Sequence, residues 1–336
     1  MAACSGSSSV SGPIHSATDD AAIAAPTQQS EVASSTLLPP VGPMTVVPLC
    51  DDPYSDGAPY VPTPGFPIHL LPQGAPGPLE AYEMEPPVHD EVLEQFLMTL
   101  LGDDVDRFGV FIKNLDDGSG IMLDADRDFY AASLYKTWVM LEAFNQQDAA
   151  LLEWQERYVV SQYYAAFGLN PGELEECDLV ALSEVLDRMM GRTDNVAANM
   201  LLERVGAGNI NRTLRSLGLS VTGFVNEESL PTTAREMALL LEAIYEGAAI
   251  NEAASEQMLE VLGTEWIDDR IPALLPSGTQ VAHKTGNWDD ATHDAGIVFS
   301  ESATYIIVVL TDFGYFDDGA TLIAELSLAV HDYYNR

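Results

Sequence analysis

The chain has 336 residues, 47% hydrophobic and 20% charged, and its 52 acidic residues against 14 basic ones give a formal net charge of −38. So acidic a surface repels the phosphates of nucleic acid and excludes a nucleic-acid partner. No apolar run approaches the roughly 18 residues of a membrane span, so the composition predicts a soluble, globular protein.

Residues 1–88 differ in composition from the rest of the chain. Sixteen of the 20 prolines precede His89, and no lysine or arginine occurs before Arg107. The segment shows neither the period of a strand nor that of a helix, which is typical of a flexible, proline-rich chain. We expect a disordered tether over residues 1–88 and one compact domain over residues 89–336.

The N-terminal sequence MAACSGSSSVSG places small residues before Cys4. It resembles the end of a bacterial lipoprotein signal, which implies a start upstream, a lipidated Cys4 and an extracytoplasmic domain anchored to the bacterial envelope. The alternative is a stray cysteine in a disordered tail, because no apolar signal segment precedes it. The number and scatter of Cys4, Cys50 and Cys177 suggest neither a disulfide framework nor a zinc site.

Elements of the domain follow in a definite order. A helical pattern in VHDEVLEQFLMTLL precedes two strands, RFGVFIKNL and SGIMLDA, which form a hairpin around Asp116-Asp117-Gly118. Residues 133–246 are mostly helical, and then the strands TQVAHKTG, HDAGIVFS and TYIIVVLTDF lead to a last helix, ATLIAELSLAVHDYY. The order predicts an α/β fold of the α+β type: an antiparallel sheet built from both ends of the domain, flanked by helices, with an inserted helical lobe and a cleft between.

Only three lysines occur, Lys113, Lys136 and Lys284. Lys136 follows Ser133 by three positions, and residues so spaced share one helix face with Cβ atoms about 5–6 Å apart. The lysine amine can activate the serine hydroxyl only when neutral, which requires burial or a neighbouring positive charge such as Lys284. Ser-x-x-Lys alone is a weak motif, and its alternative is a polar helix face.

Two further motifs follow, and each also has a purely structural interpretation. Thr193-Asp194-Asn195 leads into a helix that Asp or Asn would cap, and Lys284-Thr285-Gly286 suits a strand end with a turn glycine. The three motifs in this order resemble the active-site set of the class A β-lactamases and penicillin-binding proteins, Ser-x-x-Lys, Ser-Asp-Asn and Lys-Thr-Gly. The resemblance covers about residues 90–336 and implies a β-lactamase-like fold and an acyl-serine intermediate.

On the catalytic side, the resemblance makes Ser133 the nucleophile and Lys136 its proton partner. Thr193 stands where the family usually has serine and would relay a proton to the leaving nitrogen. Asn195 would orient Lys136 and the substrate amide.

On the substrate side, the resemblance assigns the third motif, with its Gly286, to binding. Lys284 and Thr285 would hold the substrate carboxylate. The backbone N–H groups of Ser133 and Asn287 would form the oxyanion hole.

One part of the family pattern is missing. Class A β-lactamases carry a glutamate, followed three positions later by Leu-Asn, that activates the deacylating water. The corresponding segment here, LGLSVTGFVNEESLPTTAREM, lacks it. Glu227 and Glu228 lie nearby as candidates for the deacylation base, but solvated loop charge is the favoured interpretation of both. We therefore expect acylation with slow deacylation.

Three functions stay open on the sequence alone. The first is a serine β-lactamase-like hydrolase that confers antibiotic resistance by opening a β-lactam or a related amide or ester. The second is a penicillin-binding or D-alanyl peptidase relative that acts on a peptidoglycan-like amide, and the third is an inactive, envelope-tethered binding module. No cofactor is expected, and no metal, since the histidines lack ligand spacing.

Overall fold

The computed structural model describes residues 76–226, 229–314 and 318–336. Cys4, Cys50, Glu227 and Glu228 lie outside these ranges. The tether up to residue 75, the lipid anchor at Cys4 and the envelope location therefore stay predictions.

One mixed sheet forms the base of the domain, and its strands come from both ends of the chain. Its strands are β1 (Val88–His89), β2 (Phe108–Asn114), β3 (Ser119–Leu123), β8 (Gln280–Trp288), β9 (Ala291–Phe299) and β10 (Thr304–Thr311). The order is β1-β3-β2-β10-β9-β8, antiparallel except for the short β1–β3 pair. Phe111 of β2 lies opposite Val308 of β10, which joins the two ends of the chain. The predicted sheet and the predicted β2–β3 hairpin are confirmed.

Two layers of helices cover the sheet. Helices α1 (Glu91–Leu101) and α9 (Gly319–Tyr334) pack on one face over a cluster that includes Leu97, Val110 and Ile307. The neighbouring side chains Phe111 and Val308 belong to the other cluster, beneath the helical lobe. Alternate side chains of a strand point to opposite faces, so a strand covered on both faces is apolar throughout rather than at every second position.

The helical lobe lies between β3 and β8 in the chain, as predicted. Its helices are α2 (Tyr135–Asp148), α3 (Gln162–Ala165), α4 (Leu182–Gly191), α5 (Asn195–Val205), α6 (Ala207–Leu217), α7 (Ala234–Tyr245) and α8 (Glu252–Leu262). Two small ribbons pair β4 (Phe129–Tyr130) with β7 (Pro231–Thr232), and β5 (Arg157–Val159) with β6 (Leu179–Ala181). Helix α2 is buried without interruption from Lys136 to Gln146, so it crosses the lobe as a central helix.

The described end of the predicted tether packs on the domain. Lys113 donates to the main-chain oxygen of Glu85 at 2.8 Å and to both carboxylate oxygens of Glu242 at 2.9 Å. Tyr82 donates its hydroxyl to Glu242 at 3.0 Å and its N–H to the main-chain oxygen of Leu217 at 3.1 Å. Lys113 thus has a structural role, and residues 79–88 are part of the folded unit.

Cys177 is disulfide-bonded, which the scatter of the cysteines does not predict. Sequence spacing carries no information on which cysteines meet in space, because a disulfide requires proximity in the folded chain. Among the described residues, none of the helices combines the length and the hydropathy that spanning a membrane requires. The same residues contain no group of three or more His, Cys, Asp or Glu side chains that would hold a metal ion.

Candidate active site

Ser133 lies in the turn that leads from the sheet side of the domain into the helical lobe. Strand β4 ends at Tyr130, a 3₁₀ turn spans Ala132–Leu134, and α2 begins at Tyr135. Ala132 has a positive φ of 47°, which is uncommon outside glycine. The serine is half-buried and lies one turn before the buried part of α2.

Lys136 is fully buried, with 0% of its surface exposed. Its Nζ donates to the main-chain oxygen of Thr193 at 2.7 Å and to Asn195 Oδ1 at 3.0 Å. Burial and, after it, the positive charge of Lys284 lower the pKa of Lys136 to about 7. A large fraction of the amine is therefore neutral near pH 7, which is the form that accepts a proton.

Asp194, the middle residue of the second motif, is structural. Its Oδ1 accepts from the N–H of Ala197 at 2.9 Å and caps α5, while its Oδ2 accepts from the N–H of Leu174 at 3.0 Å. The motif's two interpretations therefore apply to different residues: Asp194 caps the helix, and its neighbours Thr193 and Asn195 contact Lys136.

Lys284 lies on β8 and is also fully buried, with 0% exposed. Its Nζ donates to Thr193 Oγ1 at 2.6 Å and to the carboxylate of Glu265. Burial lowers the pKa of Lys284, and the charge of Glu265 opposes that shift. Thr285 also donates from Oγ1 to Glu265 Oε2, at 3.4 Å.

Gly286 brings β8 against the turn that carries Ser133. A Cβ on Gly286 would lie 3.0 Å from the main-chain oxygen of Ala131 and 3.2 Å from the Leu134 side chain, so a larger residue would push the strand away. Asn287 follows directly, and its Oδ1 accepts from Nη2 of Arg270 at 2.5 Å. The two segments predicted to supply the oxyanion hole are therefore neighbours.

Two site residues are absent from the sequence-based prediction, Glu173 and Glu265. Glu173 accepts from Asn195 Nδ2 at 2.9 Å through Oε1 and from the N–H of Leu169 at 2.9 Å through Oε2. Neither glutamate belongs to a motif, and single glutamates carry little signal in a chain with 52 acidic residues. Glu227 and Glu228, the predicted candidates for deacylation, lie outside the described part of the chain.

A serine followed one turn later by a buried lysine, whose ammonium form is disfavoured, is the pair of groups that a serine hydrolase with a lysine base requires. A model of the beta-lactamase enzyme family matches residues 92–334. The chain belongs to this family of class A β-lactamase and penicillin-binding-protein-like serine hydrolases.

Individual relatives are distant. The chain is 23% identical to the extended-spectrum beta-lactamase PER-1 of Pseudomonas aeruginosa, over 60% of this chain and 73% of that protein. It is 25% identical to a beta-lactamase of Streptomyces fradiae, over 65% and 78%. The solved structure of PBP-A superposes with a TM-score of 0.69 at 25% identity, covering 75% of this chain and 99% of that one. The likeness confirms the predicted β-lactamase-like fold.

Proposed function

We propose that the protein opens β-lactams through an acyl-enzyme on Ser133, with acylation faster than deacylation. The observation that carries the proposal is the environment of Lys136. Its amine is held by Thr193 and Asn195, and burial and, after it, the charge of Lys284 lower its pKa to about 7.

In the acylation step, neutral Lys136 takes the proton of the Ser133 hydroxyl as Oγ attacks the lactam carbonyl carbon. The carbonyl oxygen becomes an oxyanion, whose stabilisation we assign to the N–H groups of Ser133 and Asn287. Collapse of this intermediate breaks the C–N bond. The lactam nitrogen takes a proton from the hydroxyl of Thr193, whose oxygen accepts from Lys284 at 2.6 Å and so leaves its own hydrogen free to donate. The proton on Lys136 then restores that hydroxyl.

Release of the acyl group requires a base that positions water on the acyl carbon. The glutamate pattern of class A β-lactamases is missing between the second and third motifs. Glu173 does lie at the site, but its two carboxylate oxygens accept from Asn195 and Leu169 and orient the asparagine. These features support slow deacylation.

A second candidate is a penicillin-binding or D-alanyl peptidase-like activity on a peptidoglycan-like amide. The likeness to PBP-A supports it, since a solved structure of a single-residue mutant of PBP-A is an acyl-enzyme complex with penicillin G. An inactive binding module is disfavoured, because burying two lysines costs free energy that a site without chemistry has no reason to spend.

Intact-protein mass spectrometry after mixing with benzylpenicillin tests the proposal. We expect one covalent equivalent on the wild-type protein and on a Ser277→Ala control, which changes an exposed serine, and none on Ser133→Ala. Absorbance of the β-lactam should show a burst that consumes one equivalent of intact ring and then slow turnover, because the opened lactam stays attached to Ser133 until deacylation. Rapid turnover without an adduct would contradict slow deacylation. Neither adduct nor turnover would contradict β-lactam acylation and favour another amide or ester.

A further inference from the structure

The loop after α8, residues 263–270 (GTEWIDDR), carries a carboxylate into the active site. Only 1% of the Glu265 side chain is exposed. Its Oε2 accepts from Lys284 Nζ and from Thr285 Oγ1, and its Oε1 accepts from the N–H of Ile267 at 3.2 Å. Both carboxylate oxygens are therefore paired within the protein.

The outer side of this loop is attached to the end of α4, Gly191 and Arg192, which directly precedes the second motif. The main-chain N–H of Trp266 donates to the main-chain oxygen of Gly191 at 2.9 Å. The Arg192 guanidinium lies 4.2 Å from the centre of the Trp266 indole ring. Trp266 as a whole is 65% exposed. These contacts place the preceding residue, Glu265, over Lys284.

An ammonium flanked by threonine hydroxyls is an anion-binding set, since charge-assisted hydrogen bonds favour a carboxylate there. The hydroxyls of Thr285 and Thr193 flank Lys284, and the anion present is the protein's own Glu265. Because none of the Lys284 surface is exposed, a carboxylate from outside can reach its ammonium group only after Glu265 has left.

We propose that Glu265 is a specificity-determining residue, an internal competitor that occupies the anion site beside Ser133 and discriminates against acyl donors that carry a carboxylate there. This inference rests on the proposed function, because it assigns the substrate class of the same site. A donor without a carboxylate binds beside an undisturbed Glu265, whereas an anionic donor binds only to the fraction of molecules in which Glu265 is displaced. The apparent dissociation constant of the anionic donor is therefore larger, in inverse proportion to the fraction of molecules in which Glu265 is displaced.

The test measures binding apart from acylation. Affinities for benzylpenicillin and for its uncharged methyl ester are determined by calorimetry on the full chain carrying Ser133→Ala, alone and combined with Glu265→Gln. Glutamine keeps a hydrogen-bond acceptor for the buried Lys284 while removing the charge. The matched control is Asp268→Asn, which removes one charge from an exposed position of the same loop.

We expect Glu265→Gln to tighten binding of benzylpenicillin by about 10- to 100-fold, as for a competent state populated at roughly 1–10%. The methyl ester should gain little, and Asp268→Asn should change neither ligand. Equal gains for acid and ester, no gain for the acid, or no measurable binding by the Glu265→Gln protein would overturn the inference. If Glu265→Gln does not fold, Glu265→Asp, which shortens the reach to Lys284, should shift the acid-to-ester ratio in the same direction.

The outcomes distinguish failure of the proposed acylation chemistry from failure of the proposed competition by Glu265. A protein with intact Ser133 that binds benzylpenicillin more tightly after Glu265→Gln, yet forms no adduct, would contradict the chemistry while leaving the competition in place. An adduct that forms equally fast with and without Glu265, together with unchanged affinities, would leave the chemistry standing and remove the competitor.

Discussion

Lys136 and Lys284 both donate hydrogen bonds to one residue, Thr193. The first reaches its main-chain oxygen at 2.7 Å and the second its Oγ1 at 2.6 Å. Thr193 has a positive φ of 58°, a costly conformation for a β-branched residue that persists only where the surroundings impose it. The backbone of the second motif thus sets the spacing of the two lysines, and this spacing helps to tune the base.

Replacing Lys284 with alanine should slow acylation and move its pH dependence. Without the positive charge, the ammonium form of Lys136 is less disfavoured, so its pKa rises above about 7 and the acid limb of the acylation profile shifts to higher pH. At pH 7 the second-order rate for benzylpenicillin should fall by at least about tenfold, as expected for a lost charged hydrogen bond. Stopped-flow acylation between pH 5 and 9 measures both effects.

The methyl ester of benzylpenicillin provides the control for Lys284→Ala. It has no carboxylate to lose contact with, so only the pH shift should remain. A wild-type pH profile with the ester would contradict the role of Lys284 in tuning Lys136.

Replacing Glu173 with glutamine should shift the acid limb of the acylation pH profile to lower pH, opposite to the shift for Lys284→Ala. The carboxylate of Glu173 raises the pKa of Lys136, so its removal lowers that pKa and makes the neutral amine available at lower pH. Glutamine still accepts a hydrogen bond from Asn195, so the asparagine should keep its orientation. Glu176→Gln, at an exposed position nearby, is the control and should leave the profile unchanged. A shift to higher pH for Glu173→Gln would rule out this electrostatic coupling.

Acylation by anionic β-lactams should accelerate with ionic strength. From residue 90 onward the chain carries 43 acidic and 14 basic residues, and this field repels an anionic donor. Salt screens it over about 10 Å at 0.1 M, so the second-order rate should rise between about 10 and 150 mM salt, with the uncharged methyl ester as control. A flat or falling rate for the acid would show that the local field of the two lysines and Arg270 dominates.

His293 should make the domain sensitive to acid. Its Nε2 donates to the main-chain oxygen of Tyr130 at 2.8 Å, its Nδ1 accepts from the N–H of Thr311 at 3.1 Å, and burial lowers its pKa to about 4. The unfolded histidine titrates near 6.5, so between about pH 6.5 and 4 the unfolded state binds more protons and stability falls as pH falls.

The size of this effect follows from the two pKa values. The neutral ring's contribution, complete above about pH 6.5, should decline by about 3 kcal/mol by pH 4. Chemical denaturation between about pH 6.5 and 4 should show that the free energy of unfolding falls more steeply for wild type than for His293→Gln. His89→Gln changes an exposed histidine and should behave as wild type. If the free energy of unfolding depended on pH in the same way for wild type and His293→Gln, His293 would not be the source of the acid sensitivity.

Much of the architecture and three local motifs followed from the sequence. The β2–β3 hairpin, the helical insertion and the returning strands are encoded by hydrophobic period and turn residues, which act over a few positions. The first motif is equally local, because Ser133 and Lys136 are one helical turn apart. The scarcity of lysine in so acidic a chain marks all three lysines, and the two motifs separate Lys136 and Lys284 from Lys113 as candidate functional residues.

Tertiary structure decided what surrounds those motifs. Glu265 contacts Lys284 across 19 positions and Glu173 contacts Asn195 across 22, and no spacing rule marks either glutamate among the other acids. Lys113 meets Glu242 across 129 positions and ties residues 79–88 to the domain, although their composition resembles a tether. The pKa of Lys136 likewise depends on burial and on a charge from a distant strand. Periodicity and local hydrogen bonds depend on residues that are neighbours in the sequence and can be predicted from it. Burial and long-range charge pairs exist only once the chain has folded.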